Sequence, residues 1–183
     1  YYFKAAQTLN ADVLAIKTTL FIENCIFAMQ EIHNPVEFNP ENLGENINTE
    51  MEEYLPALSI DGKAFVFTKR VTEKGYAPQE DFYISTLSEE GNWQKAKAYA
   101  GAINTLRNEG AFSFSADKEI VVYTACNRDD GQGRCDLYLM LNNTTYNAGK
   151  TINTKHWESQ GCFSPDGKYL YFVSNRPGGY GGK

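Results

Sequence analysis

The sequence predicts a mainly β protein: an incomplete β-propeller of four-stranded antiparallel blades, preceded by a short α-helical segment. Three observations carry this. First, Ile47-Asn48-Thr49, Ile103-Asn104-Thr105 and Ile152-Asn153-Thr154 each head a unit, 56 and then 49 residues apart, and a period of about 50 is blade length. Second, fixed columns follow each head: Glu53, Glu109 and Glu158 six residues after the isoleucine, Ser59, Ser115 and Ser164 twelve after, and Asp61, Asp117 and Asp166 fourteen after. Third, β-branched and aromatic runs of strand length lie on both sides of each aspartate.

Taken in order, Tyr1 to Leu9 reads as the end of one helix and Asp12 to Ile32 as a second. In the latter, Leu14, Phe21, Cys25, Ala28 and Ile32 recur at helical spacing and define one apolar face. Asp12 suits the N-cap, and Asn34-Pro35 ends the run, because the residue before proline avoids the α region. Cys25 is expected on the buried side of this helix as a small filler. Residues 35–46, rich in Pro, Gly and Asn, read as a linker. The chain is therefore divided into a helical part at 1–34, a linker at 35–46 and a partial propeller at 47–183, with blades starting near 47, 103 and 152.

Within the units, Lys63 to Thr68, Glu119 to Thr124 and Lys168 to Ser174 are expected second strands, each following a tight turn. Ser164-Pro165-Asp166-Gly167 is a strong turn sequence, since Pro presets φ and Gly accepts the left-handed conformation. Asp61-Gly62 keeps the glycine, whereas Asp117-Lys118 does not, so the second turn is expected to be the more strained. Third strands start at Asp81-Phe82-Tyr83-Ile84 and Asp136-Leu137-Tyr138-Leu139. Trp93 to Ala98 supplies a fourth strand in the first unit, and Thr144 to Ala148 a weaker one in the second. Four antiparallel strands make one blade, and the chain stops before the third strand of its third blade.

Composition limits the function classes. The 183 residues are 42% hydrophobic and 14% aromatic, with a formal charge of −6, the make-up of a chain that buries a core. Lys and Arg are scattered, so nucleic acid is not an expected partner. The longest apolar stretch, around Leu20 to Met29, is too short to span a bilayer. The chain opens on Tyr1-Tyr2-Phe3-Lys4, and any targeting signal is expected outside it. The two histidines, His33 and His156, have neither metal-ligand spacing nor a nucleophile motif nearby. No catalytic residue, metal or cofactor is expected.

The run from Ser164 to Gly182, Ser-Pro-Asp-Gly-Lys-Tyr-Leu-Tyr-Phe-Val-Ser-Asn-Arg-Pro-Gly-Gly-Tyr-Gly-Gly, resembles the PD40, or TolB-like, blade repeat almost residue for residue. The layout is similar to that of Bacteroidota proteins that place tetratricopeptide (TPR) repeats before a PD40 propeller and an OmpA-like peptidoglycan-binding domain after it. The resemblance covers Glu45 to Lys183 strongly and the helical start more loosely. It implies a non-catalytic periplasmic scaffold associated with the outer membrane. Other envelope proteins would be its partners, with type IX secretion as the setting. Peptidoglycan would be reached only through an OmpA-like domain that this sequence lacks. The other readings are a glycan- or small-ligand-binding propeller and the regulatory propeller of a peptidase.

Candidate residues follow from the repeat. Glu53, Glu109 and Glu158 are expected to be architectural, accepting bonds from backbone N–H groups or a neighbouring blade, and as buried carboxylates they require partners. A ring of acids that binds a cation or basic peptide is the alternative. Asp61, Asp117 and Asp166 read as turn residues. Cys126 and Cys135 flank an eight-residue hairpin loop and are expected to form a stapling disulfide, with two free thiols as the alternative. Cys162 aligns with Ala57 and Ser113 and is expected to be a packed, unpaired filler. The loops between second and third strands vary most, and variation on a fixed frame marks recognition. Their Arg70, Tyr76, Arg128, Arg134, Arg176 and Tyr180 are the binding candidates, joined by Trp157 at the channel mouth.

Overall fold

The computed structural model of the chain describes residues 12–72 and 77–178, with side chains from residue 17 onward. Two compact units are present, Tyr1–Glu41 and Asn42–Lys183. In the first, helix α1 spans Asp12–Glu31. It ends in a turn at which His33 Nδ1 and Asn34 Nδ2 bond the carbonyls of Met29 and Gln30. The expected single buried stripe is not observed. Phe21 and Ile32 of that stripe are exposed, and Cys25 is exposed rather than a buried filler. Leu20 and Phe27 lie well outside the stripe and are also exposed. Apolar residues are therefore spread around the helix, and no single face gathers them. Tyr1 to Leu9 lies outside the described residues.

The second unit is an arc of three blades. The first sheet has the order β1 (Glu53–Leu58), β2 (Ala64–Val71), β3 (Gln79–Thr86) and β4 (Lys97–Ala98). The second has β5 (Glu109–Phe114), β6 (Ile120–Cys126), β7 (Cys135–Leu141) and β8 (Thr144–Asn147). The third pairs β9 (Glu158–Phe163) with β10 (Leu170–Ser174). Every strand pair is antiparallel. Strand β5 packs against β1 on one side and β9 on the other, so the first strand of each blade lines the inner side of the arc.

The fourth strands reverse the expected order of strength. Strand β8 is a regular four-residue strand, while β4 has two residues and Trp93 makes only an isolated bridge to Leu87. The cause is the turn. Asn142 and Asn143 both take left-handed φ values of 48° and 61°, the geometry of a two-residue hairpin whose twist matches its strands. Blade 1 instead loops through Ser88 to Asn92 around Gly91 before the ladder resumes.

Each inner strand carries a β-bulge. The register shifts between Tyr54 and Ala57, between Gly110 and Ser113, and opposite Tyr171 to Val173. Leu55, Ala111 and Gln160, equivalent residues of the three units, take left-handed φ values of 51°, 57° and 55° there. Such a conformation is costly for a residue with a side chain, and a bulge sharpens the local twist.

The core lies between blades 1 and 2 and inside blade 2. Val66, Phe82, Ile103, Phe112, Tyr123 and Tyr138 are nearly inaccessible, and Phe82 meets Phe112 and Tyr123 edge-on at centroid distances of 5.3 and 5.8 Å, a favourable aromatic geometry. At the next junction Gly161 replaces Phe112. A Cβ on it would lie 2.8 Å from Val122 Cγ2. Because Gly161 faces back toward blade 2, Cys162 points the opposite way under strand alternation. Cys162 is thus free but exposed, not packed.

Candidate functional site

The repeated carboxylates are held by the head of their own unit. In each blade the threonine of Ile-Asn-Thr donates both its N–H and its hydroxyl to the glutamate: Thr49 to Glu53, Thr105 to Glu109, and Thr154 to Glu158. A cation then approaches from the end of the second strand. Lys69 lies 3.4 Å from Glu53, Arg128 lies 3.9 Å from Glu109, and Arg176 lies 3.3 Å from Glu158. Each cation also sits over a ring, at 5.2 Å for Lys69 on Tyr83, 5.4 Å for Arg128 on Tyr138 and 5.3 Å for Arg176 on Phe172, an attractive cation–π geometry. Arg128 and Arg176, which the sequence assigns to recognition, are therefore engaged in the frame.

The three glutamates are not equivalent. The residues directly across the ladder are Lys69 for Glu53, Ala125 for Glu109 and Ser174 for Glu158. Ser174 donates a 2.7 Å bond to Glu158, and Ala125 has no hydroxyl to offer Glu109. Burial pushes the Glu109 carboxyl up to about 7, against the weaker pull of the Thr105 bonds and the Arg128 charge. Burial also raises Glu158, but the bonds from Thr154 and Ser174 and the Arg176 charge outweigh it and leave that carboxyl below its usual value. The buried Arg128 Nε has no hydrogen-bond partner among the described residues.

The Ser–Asp columns build the turns. Ser59, Ser115 and Ser164 donate to Asp61, Asp117 and Asp166 at 2.6, 2.5 and 2.6 Å. The same hydroxyls accept the N–H groups of Ala64, Ile120 and Tyr169. The Lys118 ammonium, followed by the Ser59 hydroxyl and the Lys63 N–H, holds Asp61 below the usual carboxylate range, and the serine hydroxyl with the N–H of Glu119 or Lys168 does the same for Asp117 and Asp166. Lys118 takes φ 63° where the other turns have Gly62 and Gly167, so its backbone is the strained one.

The asparagines of the second and third heads are inter-blade clamps that the residue pattern did not single out. Asn104 bonds both the N–H and the C=O of Phe82. Asn153 does the same to Leu137, at 2.8 Å each. The signal available was the invariance of asparagine in all three Ile-Asn-Thr heads.

Two of the binding candidates, Arg134 and Trp157, meet at the junction of blades 2 and 3. Cys126 and Cys135 stand opposite each other in the ladder and are joined by a disulfide. The loop they close is tied down further, because the carboxylate of buried Asp136 accepts the N–H groups of Gln132 and Gly133, and Asp130 accepts the Tyr138 hydroxyl. Cys135 bridges to Trp157 in parallel sense, which brings Arg134 beside Trp157. Together with Lys155, His156, Val173 and Asn175 they line a cavity of about 640 Å³, within the range of ligand sites. Trp157 N–H donates to Asn175 Oδ1, and Asn175 N–H donates to the Trp157 carbonyl.

Of the remaining candidates, Arg70 pairs with Glu52 at the surface, 3.5 Å away. Tyr76 and Tyr180 lie outside the described residues. Among the described residues no group of three or more His, Cys, Asp or Glu is arranged to hold a metal ion, and no helix is long and apolar enough to cross a membrane.

No protein-family model matches the chain, and no curated protein matches it. Among solved structures it is similar to TolB from Acinetobacter baumannii, at 21% identity and a TM-score of 0.48, over 73% of this chain and 29% of that one. The chain thus spans less than a third of the length of that structure.

Proposed function

We propose that the chain is a non-catalytic propeller that binds other proteins in the periplasm. The observation that carries this reading is the contrast between two sets of polar residues. The repeated Glu, Ser and Asp side chains, with Asn104 and Asn153, are engaged within the frame, whereas Arg134, Lys155 and His156 surround Trp157 with no side-chain partner among the described residues. An Arg on a pinned loop facing an aromatic residue suits recognition of a partner. The Cys126–Cys135 disulfide suits an oxidising compartment.

The resemblance of the third unit to the PD40 repeat extends the reading. In an arrangement similar to that of the type IX secretion component PorE, the helical segment and propeller hold proteins of an outer-membrane-associated assembly, and an OmpA-like domain supplies the peptidoglycan link. Affinity capture from envelope extracts tests this. Recovery of a discrete protein by the wild-type chain is expected. No protein recovered, together with binding of a neutral oligosaccharide by the purified chain, would overturn the scaffold reading in favour of a glycan-binding propeller.

A further inference from the structure

The cavity at Trp157 is built by the fold rather than left by chance. Gly133 lets the loop press against the lead-in to β9: a Cβ on it would fall 2.1 Å from the His156 carbonyl oxygen and 2.7 Å from that of Thr154. Any other residue at 133 would push the loop, and Arg134 with it, away from Trp157. The disulfide one residue after Arg134 and the two bonds between Trp157 and Asn175 hold the two walls.

The chemistry of the lining is one-sided. Arg134, Lys155 and His156 offer positive charge or N–H donors, and no carboxylate lines the cavity although the chain carries a net −6. The carbonyl oxygen of the Asn175 side chain is already engaged by Trp157 N–H, and Ser174 Oγ by Glu158. Trp157 and Val173 supply an apolar wall.

We infer that this cavity binds an acidic peptide segment, with an apolar or aromatic side chain against Trp157 and Asp or Glu carboxylates against Arg134, Lys155 and His156. The inference rests on the protein-binding reading above and names the kind of segment bound. Carboxylates only accept hydrogen bonds and match a lining of donors. Sugar hydroxyls need acceptors as well, and the side chains of this lining offer few: the bare ring nitrogen of a neutral His156 and the second lone pair of Asn175 Oδ1.

The test is a calorimetric titration of the purified chain with three probes: a short Asp/Glu peptide with a central Phe, its Asn/Gln counterpart, and a uronic-acid oligosaccharide of equal charge. The acidic peptide is expected to bind with an affinity that falls as salt rises, and the amide peptide at least about tenfold more weakly. The R134A/K155A double variant, both of whose side chains are exposed, is expected to keep its circular dichroism spectrum and lose about tenfold or more. Trp157→Phe should retain more affinity than Trp157→Ala. Failure of the acidic peptide to bind, equal binding by R134A/K155A, or binding of the oligosaccharide alone would each overturn the inference. If wild type and R134A/K155A captured the same envelope protein equally, the scaffold reading would stand and this site would fall.

Discussion

The buried hydroxyl of Thr68 faces Gly110 across the junction of blades 1 and 2 and has no hydrogen-bond partner among the described residues. At the next junction the equivalent Thr124 shares a 3.0 Å bond with Ser159, the equivalent of Gly110. A Cβ on Gly110 would lie 3.6 Å from Thr68 Oγ1, an ordinary contact. Gly110→Ser is therefore expected to stabilise the chain by about 1–2 kcal/mol, from a satisfied hydroxyl and a less free unfolded chain. Gly110→Ala should recover only the second part, about 0.4–1 kcal/mol. Urea denaturation of both variants measures the difference, and equal midpoints would exclude the hydrogen bond.

Glu109 and Glu158 are expected to respond to pH in opposite ways. The folded-state carboxyl of Glu109 is raised from 4.5 to about 7. Between those values the unfolded chain has released its proton and the folded chain has kept it. Stability from this group therefore falls as pH rises through the window, by on the order of 3 kcal/mol, and levels above it. Glu158 is lowered, so its contribution is present above the usual carboxylate value and is lost as pH falls through the folded one. Glu109→Gln should flatten the loss between pH 5 and 8, whereas Glu158→Gln should destabilise at neutral pH, as thermal melts across that range would show.

Asn153 holds both backbone groups of Leu137. Asn153→Ala leaves a buried N–H and C=O unpaired and is expected to cost about 2–4 kcal/mol. Asn153→Asp should not rescue, because a carboxylate cannot donate to the Leu137 carbonyl. Hydrogen exchange at the Leu137 amide should accelerate in both variants. Unchanged protection would show that the clamp is not what closes this junction.

The disulfide closes a short loop, with a sequence separation of 9. Its loss in Cys126→Ser/Cys135→Ser is expected to cost about 2–3 kcal/mol. Mass analysis of the unreduced chain after alkylation should find modification at Cys25 and Cys162, both exposed, and none at Cys126 or Cys135.

Much of the frame was legible because it depends on local chemistry. The Ser–Asp turns need only residues within five positions of each other, and the strands follow from β-branched and aromatic runs. Partner choice was not legible. Arg128 and Arg176 look like loop arginines in sequence, yet they fold back onto glutamates 18 or 19 residues earlier in the chain. Cys25 and Cys162 were misplaced for a related reason, since periodicity and alignment identify a face but not what covers it.

The sequence by itself determined the blade repeat, its period, its turn residues and the columns of Glu, Ser and Asp, because each is written in residue type and spacing. The tertiary structure alone decided the left-handed bulges at Leu55, Ala111 and Gln160, whose side chains carry no preference for that conformation. It also decided the unequal environments of Glu109 and Glu158 and the meeting of Arg134 with Trp157. These depend on what faces each residue across a ladder or a blade junction, and burial and through-space distance act there without a local sequence signature.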